Sequence, residues 1–259
     1  MTPISVVLIT LNAERHLERV LASVSGFASE IVILDSGSTD GTAAIARRFD
    51  ARVVVRPFAG YGPQKRAAVA LANHEWVLSL DGDEVLDPQA QDFLRTFTPT
   101  DTTACWRIRR RNHVGPREIR HGHWSPDWCL RLFNRSRHNF SEALVHEAVH
   151  PTGPVHTLPG SLLHFGYTDL IDVFRMPYHR LKADAARAKD RRPGSLNLLG
   201  RAAWTFFNSY VLRNGWRDGQ AGVVVAMSSS LNAVLGLASA AWDEPAATHI
   251  PDPGPSRPK

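Results

Sequence analysis

Two carboxylates stand two residues apart in Leu80-Asp81-Gly82-Asp83-Glu84, directly after the apolar run WVLSL at Trp76–Leu80. Past the end of a buried strand, acidic side chains at i and i+2 can converge on one ion. Their hard oxygens suit Mg2+ or Mn2+, which in turn bridge to phosphate oxygens. Asp-Gly is also a common solvated turn, so the pattern gains weight from where it stands.

Two more polar stretches close apolar runs. In Ile33-Leu34-Asp35-Ser36-Gly37-Ser38-Thr39-Asp40-Gly41-Thr42, Asp35 is placed for a ribose hydroxyl or a base edge. The Ser/Gly/Thr run supplies a tight turn and a helix N-cap; Asp40 is expected only to cap. In Thr10-Leu11-Asn12-Ala13-Glu14, Asn12 either caps the next helix or joins Asp35 and Asp81 at one edge.

These stretches need a scaffold that brings strand ends together. Residues 4–9, 30–34, 52–55 and 76–80 read as short buried strands, and 13–25, 42–49 and 63–72 have helical spacing. Strands alternating with helices predict a parallel, doubly wound sheet, whose ligand crevice lies at the carboxyl ends of the strands. Beyond residue 100, strands are expected at 104–109, 129–133 and 161–165, joined by His- and Arg-rich loops. A helix is expected over 169–190 and disorder over 245–259.

Composition narrows the function classes. The chain has 259 residues, 43% of them apolar, enough for one large α/β domain with an appendage. Only Cys105 and Cys129 occur, in no metal-ligand spacing, which excludes a disulfide scaffold and fits a reducing compartment. The start, MTPISVVLIT, lacks the basic region of a secretory signal. Residues 1–100 carry 9 Lys/Arg against 12 Asp/Glu, and residues 101–259 carry 21 against 13. A basic, Arg-dominated second half suits phosphate groups or an anionic membrane surface. The acidic first half disfavours a nucleic-acid binder, so no nucleic-acid partner is expected.

The stretches SVVLITLNAE, EIVILDSGSTDGT, RPFAGYGPQKRAA, WVLSLDGDE, RIRRRN, RHGHWSPDWCLRLFNR, FSEALVHEAV and LLHFGY occur in order across residues 4–242. Together they resemble family 2 glycosyltransferases, specifically the bacterial subgroup of lipopolysaccharide-core β-1,4-glucosyltransferases. The resemblance implies an α/β GT-A (Rossmann-like) fold, a mixed, mainly parallel sheet flanked by helices, with a C-terminal helical membrane-associating segment. The implied organisation is a GT-A domain over 1–168, with a nucleotide-sugar half at 1–100 and an acceptor half at 101–168. A helical region at 169–244 and the tail at 245–259 follow.

By the same resemblance, Asn12, Glu14 and Asp35 hold base and ribose, with Thr10 and Ser36 beside them. Gln64 and Lys65 approach the nucleotide, Asp81 serves ribose and metal, and Asp83 serves the metal. The subgroup usually has Glu at the place of Ala13, Asn at that of Arg66 and Ala at that of Gly82. Its Val-His-Glu stretch makes Glu147 the candidate base, taking the acceptor hydroxyl proton. Asp127, flanked by Trp124 and Trp128, is the rival; its structural alternative is a salt bridge to Arg131. His164 resembles the late metal-ligating His of some GT-A enzymes.

Eight histidines fall between 113 and 164, and for any single one a hydrogen-bonded structural role is the default. His146-Glu147-Ala148-Val149-His150 matches the H-E-x-x-H zinc signature, which requires a helix; Pro151 and Gly153-Pro154 argue against one. Arg107, Arg109, Arg110, Arg111, Arg117 and Arg120 form a basic stretch, either a phosphate site or the solvent face of a strand. Gly219–Trp242 holds 24 uncharged residues, long enough to span a bilayer. Its Ser, Gln and Asn content favours an interfacial helix or a hairpin with residues 196–212.

The expected activity is thus inverting transfer of a hexose, glucose, from a nucleotide sugar such as UDP-glucose to a glycolipid of the lipopolysaccharide-core kind. Mg2+ or Mn2+ would assist, on the cytoplasmic face of the membrane. The rivals are another envelope transferase, an inactive donor binder, a nucleotidyltransferase (which would need a Gly-rich phosphate loop), a zinc peptidase and a nucleic-acid binder.

Overall fold

The computed structural model describes residues 2–143, 147–174 and 194–242. His146, most of the helix expected at 169–190 and the tail from 245 lie outside them; within 169–174, Asp172–Phe174 forms a 3-10 turn.

The first half is built as the sequence predicts. Strands β1 (Ile4–Thr10), β2 (Glu30–Asp35), β3 (Arg52–Val55) and β4 (Trp76–Asp81) alternate with helices α1 (Glu14–Val24), α2 (Thr42–Arg48) and α3 (Tyr61–Ala70). The strands pair in parallel in the order β3-β2-β1-β4. β1 and β2 are apolar at nearly every position because both faces are covered. On one face lie Leu17, Val20, Leu21 and Val24, the i, i+3, i+4, i+7 stripe of α1, all fully buried against Ile4, Val6 and Leu8. Each such side chain contributes about 1.5–3 kcal/mol by burial, and Leu21→Ala would cost about 2–5 kcal/mol. Ala68 and Val69 of α3 cover the other face at Val7, Val32, Leu34 and Val77.

The second half continues the same sheet with mixed polarity. β5 (Glu84–Leu86), β6 (Cys105–Val114), β7 (Arg117–Glu118), β8 (Asp127–Asn134) and β9 (Val155–Tyr167) complete nine strands in the order β3-β2-β1-β4-β8-β6-β9-β5, with β7 on β6. β8 runs antiparallel to β4 and β6, and β9 parallel to β6. Short β5 and helix α4 (Pro88–Arg95) were not foreseen. The sign for α4 is plain in hindsight: Asp87 caps Ala90 N at 3.0 Å, with Pro88 at the first helical position.

The C-terminal part is a hairpin of α5 (Ser195–Phe207) and α6 (Gln220–Trp242), joined through a π turn at Asn208–Leu212 and a 3-10 turn at Gly215–Asp218. Ser230 Oγ donates to Ala202 O across it at 2.7 Å. Gln220–Ser239 is long and apolar enough to cross a membrane by length and composition, with a third of it buried. The root of α6, at Ala221 and Val225, packs on Val114, Ile119 and Val173.

Candidate active site

Parallel register brings the three polar strand ends together: Thr10 lies opposite Asp35, and Ile9 opposite Asp81. What each group does there differs from group to group. Asp35 is buried and saturated by its own turn. Its Oδ1 accepts Gly37 N (2.9 Å) and Ser38 N (2.7 Å), and its Oδ2 accepts Thr10 Oγ1 (2.7 Å) and Ser38 Oγ (2.6 Å). Burial pushes this carboxyl up, and these donors more than compensate, so it titrates below its ordinary value.

Asn12 sits in the left-handed region (φ 51°), which Asn tolerates, and its Oδ1 accepts Thr39 N at 2.9 Å. Glu14 Oε2 accepts Gly41 N, and Asp40 accepts Thr42 N through Oδ1 at 3.0 Å and Glu14 N through Oδ2 at 3.1 Å. These side chains therefore brace the first βα turn against the second and shape the wall of the crevice. Gln64 Nε2 reaches Ser36 Oγ at 3.2 Å, tying α3 to that wall; its Oε1 is buried without a hydrogen-bond partner.

The acidic motif splits into two sites. Asp81 faces cations: Lys65 Nζ at 2.9 Å and Arg131 Nη2 at 2.9 Å. Burial pushes the Asp81 carboxyl up, but Lys65 and Arg131 pull harder and hold it far below the usual carboxylate range. Lys65, itself only 3% exposed, also contacts Glu147 Oε1 at 2.8 Å. It thus joins the strand-end carboxylate to the candidate base. Glu147 is partly buried rather than a surface acid.

Asp83 turns the other way, toward His164. Backbone register fixes this meeting: β5 pairs antiparallel with β9, Glu84 lies opposite His164, and Phe165 N donates to Asp83 O at 3.0 Å. His164 Nε2 stands 3.5 Å from Asp83 Oδ2. Its other nitrogen, Nδ1, is 2.7 Å from Asn112 Oδ1. Asn112 Nδ2 donates to Trp124 O (2.9 Å) and Asp127 Oδ2 (3.1 Å), so the amide presents its oxygen to the imidazole. In neutral His164 the proton therefore sits on Nδ1, and the Nε2 lone pair faces Asp83. This is how an outer-shell amide prepares an imidazole ligand. Burial lowers the His164 pKa, but Asp83 outweighs it and raises it overall; Asp83 is lowered in turn, against its own burial. One carboxylate oxygen and one imidazole nitrogen suit Mn2+ well and Mg2+ less well. Among the described residues no cluster of three or more such side chains forms a complete cation site.

Asp127 is not bridged to Arg131. Arg110 Nε holds it at 2.8 Å, its opposite number across β6–β8, while Arg131 turns to Asp81 and Glu84. The fully buried Glu84 contacts both Arg131 and Arg110. Glu84 and Asn112 thus organise the site although the sequence suggested no role for them, and Arg110 and Arg131 do so in roles other than those expected. The legible signal was Arg131 in CLRLF: a charge inside an apolar strand requires a buried counter-charge. The basic stretch resolves residue by residue. Arg111 and Arg120 are consumed by Glu118, and Arg107 lies 4.8 Å over the Trp128 ring. Three histidines are structural: His138 contacts Cys105 and Thr152, His121 contacts Asp218, and His123 contacts Asn208. Val149 forms an isolated antiparallel bridge with Phe140, so residues 147–150 are not helical and the H-E-x-x-H match lacks its geometry.

A sheet with this strand order, carrying acidic side chains past its fourth strand, defines a GT-A glycosyltransferase. Residues 5–152 match the family model "Glycosyl transferase family 2", and the chain belongs to that family. It is 35% identical to the lipopolysaccharide core biosynthesis glycosyltransferase LpsC of Rhizobium meliloti (strain 1021), over 90% of each chain. It is 27% identical to an uncharacterized glycosyltransferase of Rickettsia bellii, over 91% of this chain and 85% of that one. Glucosyl-3-phosphoglycerate synthase from Mycobacterium tuberculosis, solved with Mn2+, UDP and glucosyl-3-phosphoglycerate, matches at 29% identity. That match covers 43% of this chain and 44% of that one, with a TM-score of 0.36.

Proposed function

We propose that the protein transfers a hexose, with UDP-glucose as donor, to a hydroxyl of a lipopolysaccharide-core or related glycolipid, with inversion at the anomeric carbon. The observation that carries this reading is the pair of divided sites at one sheet edge: Lys65 between Asp81 and Glu147, and Asp83 beside His164. The similarity to LpsC over nearly the whole chain supports the acceptor class.

In this reading the crevice wall of Thr10, Asn12, Glu14, Asp35 and Ser36 seats the nucleoside, chiefly by its shape and backbone groups. Asp83 and His164 would hold a divalent cation, while Asp81 is engaged by Lys65 and Arg131. That cation supplies charge neutralisation for the departing diphosphate. Glu147 accepts the acceptor hydroxyl proton as its oxygen forms the new bond to the anomeric carbon. Lys65, 2.8 Å from Glu147 Oε1, aims that carboxylate. Asp127 is the weaker candidate for base, because Arg110 and Asn112 already occupy its Oδ2.

The test is turnover of UDP-glucose and a panel of other nucleotide sugars with Mn2+ added. Glu147→Gln is expected to lose about 10²–10⁴-fold in kcat, and Asp83→Ala to lose turnover while melting like the wild type. Full turnover in EDTA, or a Glu147→Gln variant as fast as the parent, refutes the assignment.

A further inference from the structure

The apolar face of α5 points outward. Leu196, Leu199, Ala203, Trp204 and Phe207 recur at i, i+3, i+7, i+8 and i+11, one side of a helix. Leu196 is 85% exposed, Leu199 67% and Trp204 60%. The opposite side, at Ala202, receives the Ser230 hydroxyl of α6. A helix in water normally buries its apolar stripe; here the partner helix takes the other side. In the turns that follow, Leu212 and Trp216 are also more than half exposed.

Charge selects the occupant. Arg201, Arg213 and Arg217 are exposed in the same segment, and residues 194–217 contain no Asp or Glu. Asp218, which follows, is spent on Arg120 N, His121 N and His121 Nδ1. Residues 175–193, which precede the hairpin in sequence, hold seven Arg/Lys against two Asp. A second copy of the chain would set arginine against arginine across a two-fold contact. An anionic bilayer takes both halves of the pattern: Trp and Leu at acyl and headgroup depth, arginine among the phosphates.

We propose that the ridge of α5 and the turn after it is a docking surface for an anionic lipid bilayer, entered in the interfacial plane. The surface is coupled to the active site by a short path. Gly122 N donates to Arg213 O (3.0 Å) and His123 N to Ser209 Oγ (3.2 Å). Trp124 O holds Asn112, which holds both His164 and Asp127. The use of this docking, presenting a lipid-borne acceptor to Glu147, rests on the transfer reading above; the binding itself does not.

The experiment is co-sedimentation of the full chain with vesicles of phosphatidylcholine alone or mixed with phosphatidylglycerol, with no donor or acceptor present. The protein is expected to pellet with the anionic vesicles and to be released by high salt. Leu199→Glu and Trp204→Glu should each weaken partitioning by about tenfold or more, and a double Arg201→Glu/Arg217→Glu variant should abolish the preference for phosphatidylglycerol. Unchanged circular dichroism shows that the variants fold. Wild-type protein left in the supernatant, or variants that pellet like the parent, overturns the proposal. So does a dimer in sedimentation velocity that Leu199→Glu converts to monomer while vesicle binding persists, because the ridge then belongs to a second copy. Loss of transferase activity without loss of vesicle binding would count against the transfer reading alone.

Discussion

Gly62 offers a sharp test of how the candidate base is held. It lies in the first turn of α3, and its N donates to Ala143 O at 3.1 Å. A Cβ there would sit 2.3 Å from Ser141 O and 2.5 Å from Ala143 O. Carbon–oxygen contacts settle at about 3.3 Å, so Gly62→Ala must drive residues 141–143 outward by roughly 1 Å. They cannot yield freely, because Arg66 Nη1 fixes Phe140 O at 2.7 Å, just before them. The chain leads from there to Glu147, whose contact with Lys65 is 2.8 Å. A displacement near 1 Å in a catalytic group costs about 10²-fold in rate. Overpacking adds about 1–3 kcal/mol of destabilisation, and the stretched Gly62–Ala143 hydrogen bond about 1 kcal/mol. The assay is kcat at saturating donor together with a urea unfolding curve. The variant should fold, with lower stability and kcat down by about two orders of magnitude. A folded Gly62→Ala enzyme with the parent's kcat would show that residues 140–143 do not position the base.

Two further outcomes concern stability. The Glu118 carboxyl is drawn down to about 2, mainly by its hydrogen bonds from Arg111, with burial opposing. A lowered acid stabilises the fold fully above its unfolded value, near 4.5, and that contribution fades as pH falls toward 2. Urea curves of the parent and Glu118→Gln should therefore differ most at neutral pH, draw together below about pH 4.5 and converge only near pH 2; a gap that widens on acidification contradicts the ion pairing. Asp218→Ala removes three acceptor contacts to residues 120–121 and strands two backbone donors. It should cost about 2–3 kcal/mol and speed amide exchange at Arg120 and His121, whereas unchanged protection would mean that the hairpin is fastened elsewhere.

The scaffold was legible where the chain obeys local rules. Apolar runs closed by Asp35 and Asp81 gave β2 and β4, and the Leu17–Val24 stripe gave α1, because period and burial agree there. β5 escaped because three residues carry no period; it exists through pairing with β9, which no local pattern encodes. Candidate site residues were identified, but their partners were not. Asp83 and His164 are 81 positions apart and meet only through that pairing. Arg131 does not meet Asp127 because both lie on β8, where residues four apart stand about 13 Å from each other; the partner comes from across the β6–β8 pairing, which sets Arg110 opposite Asp127. Asn12, Glu14 and Asp35 fit ligand contact and turn bracing equally well as residue types; their hydrogen bonds speak for bracing.

The same pairing sets where this chain tolerates changes in length. β9 carries Leu162 into the core and His164 toward Asp83, two residues apart on one side of the strand. Deleting a single residue between Leu158 and Leu162 would invert every later side chain, sending the imidazole to the opposite face and Phe165 into its place. Among the described residues between β8 and β9, position is held by the Phe140–Val149 bridge, the Gly62 N–Ala143 O bond and Glu147 rather than by a strand phase. Natural length variation among relatives should therefore gather on either side of that bridge, while the reading frame of β9 stays fixed.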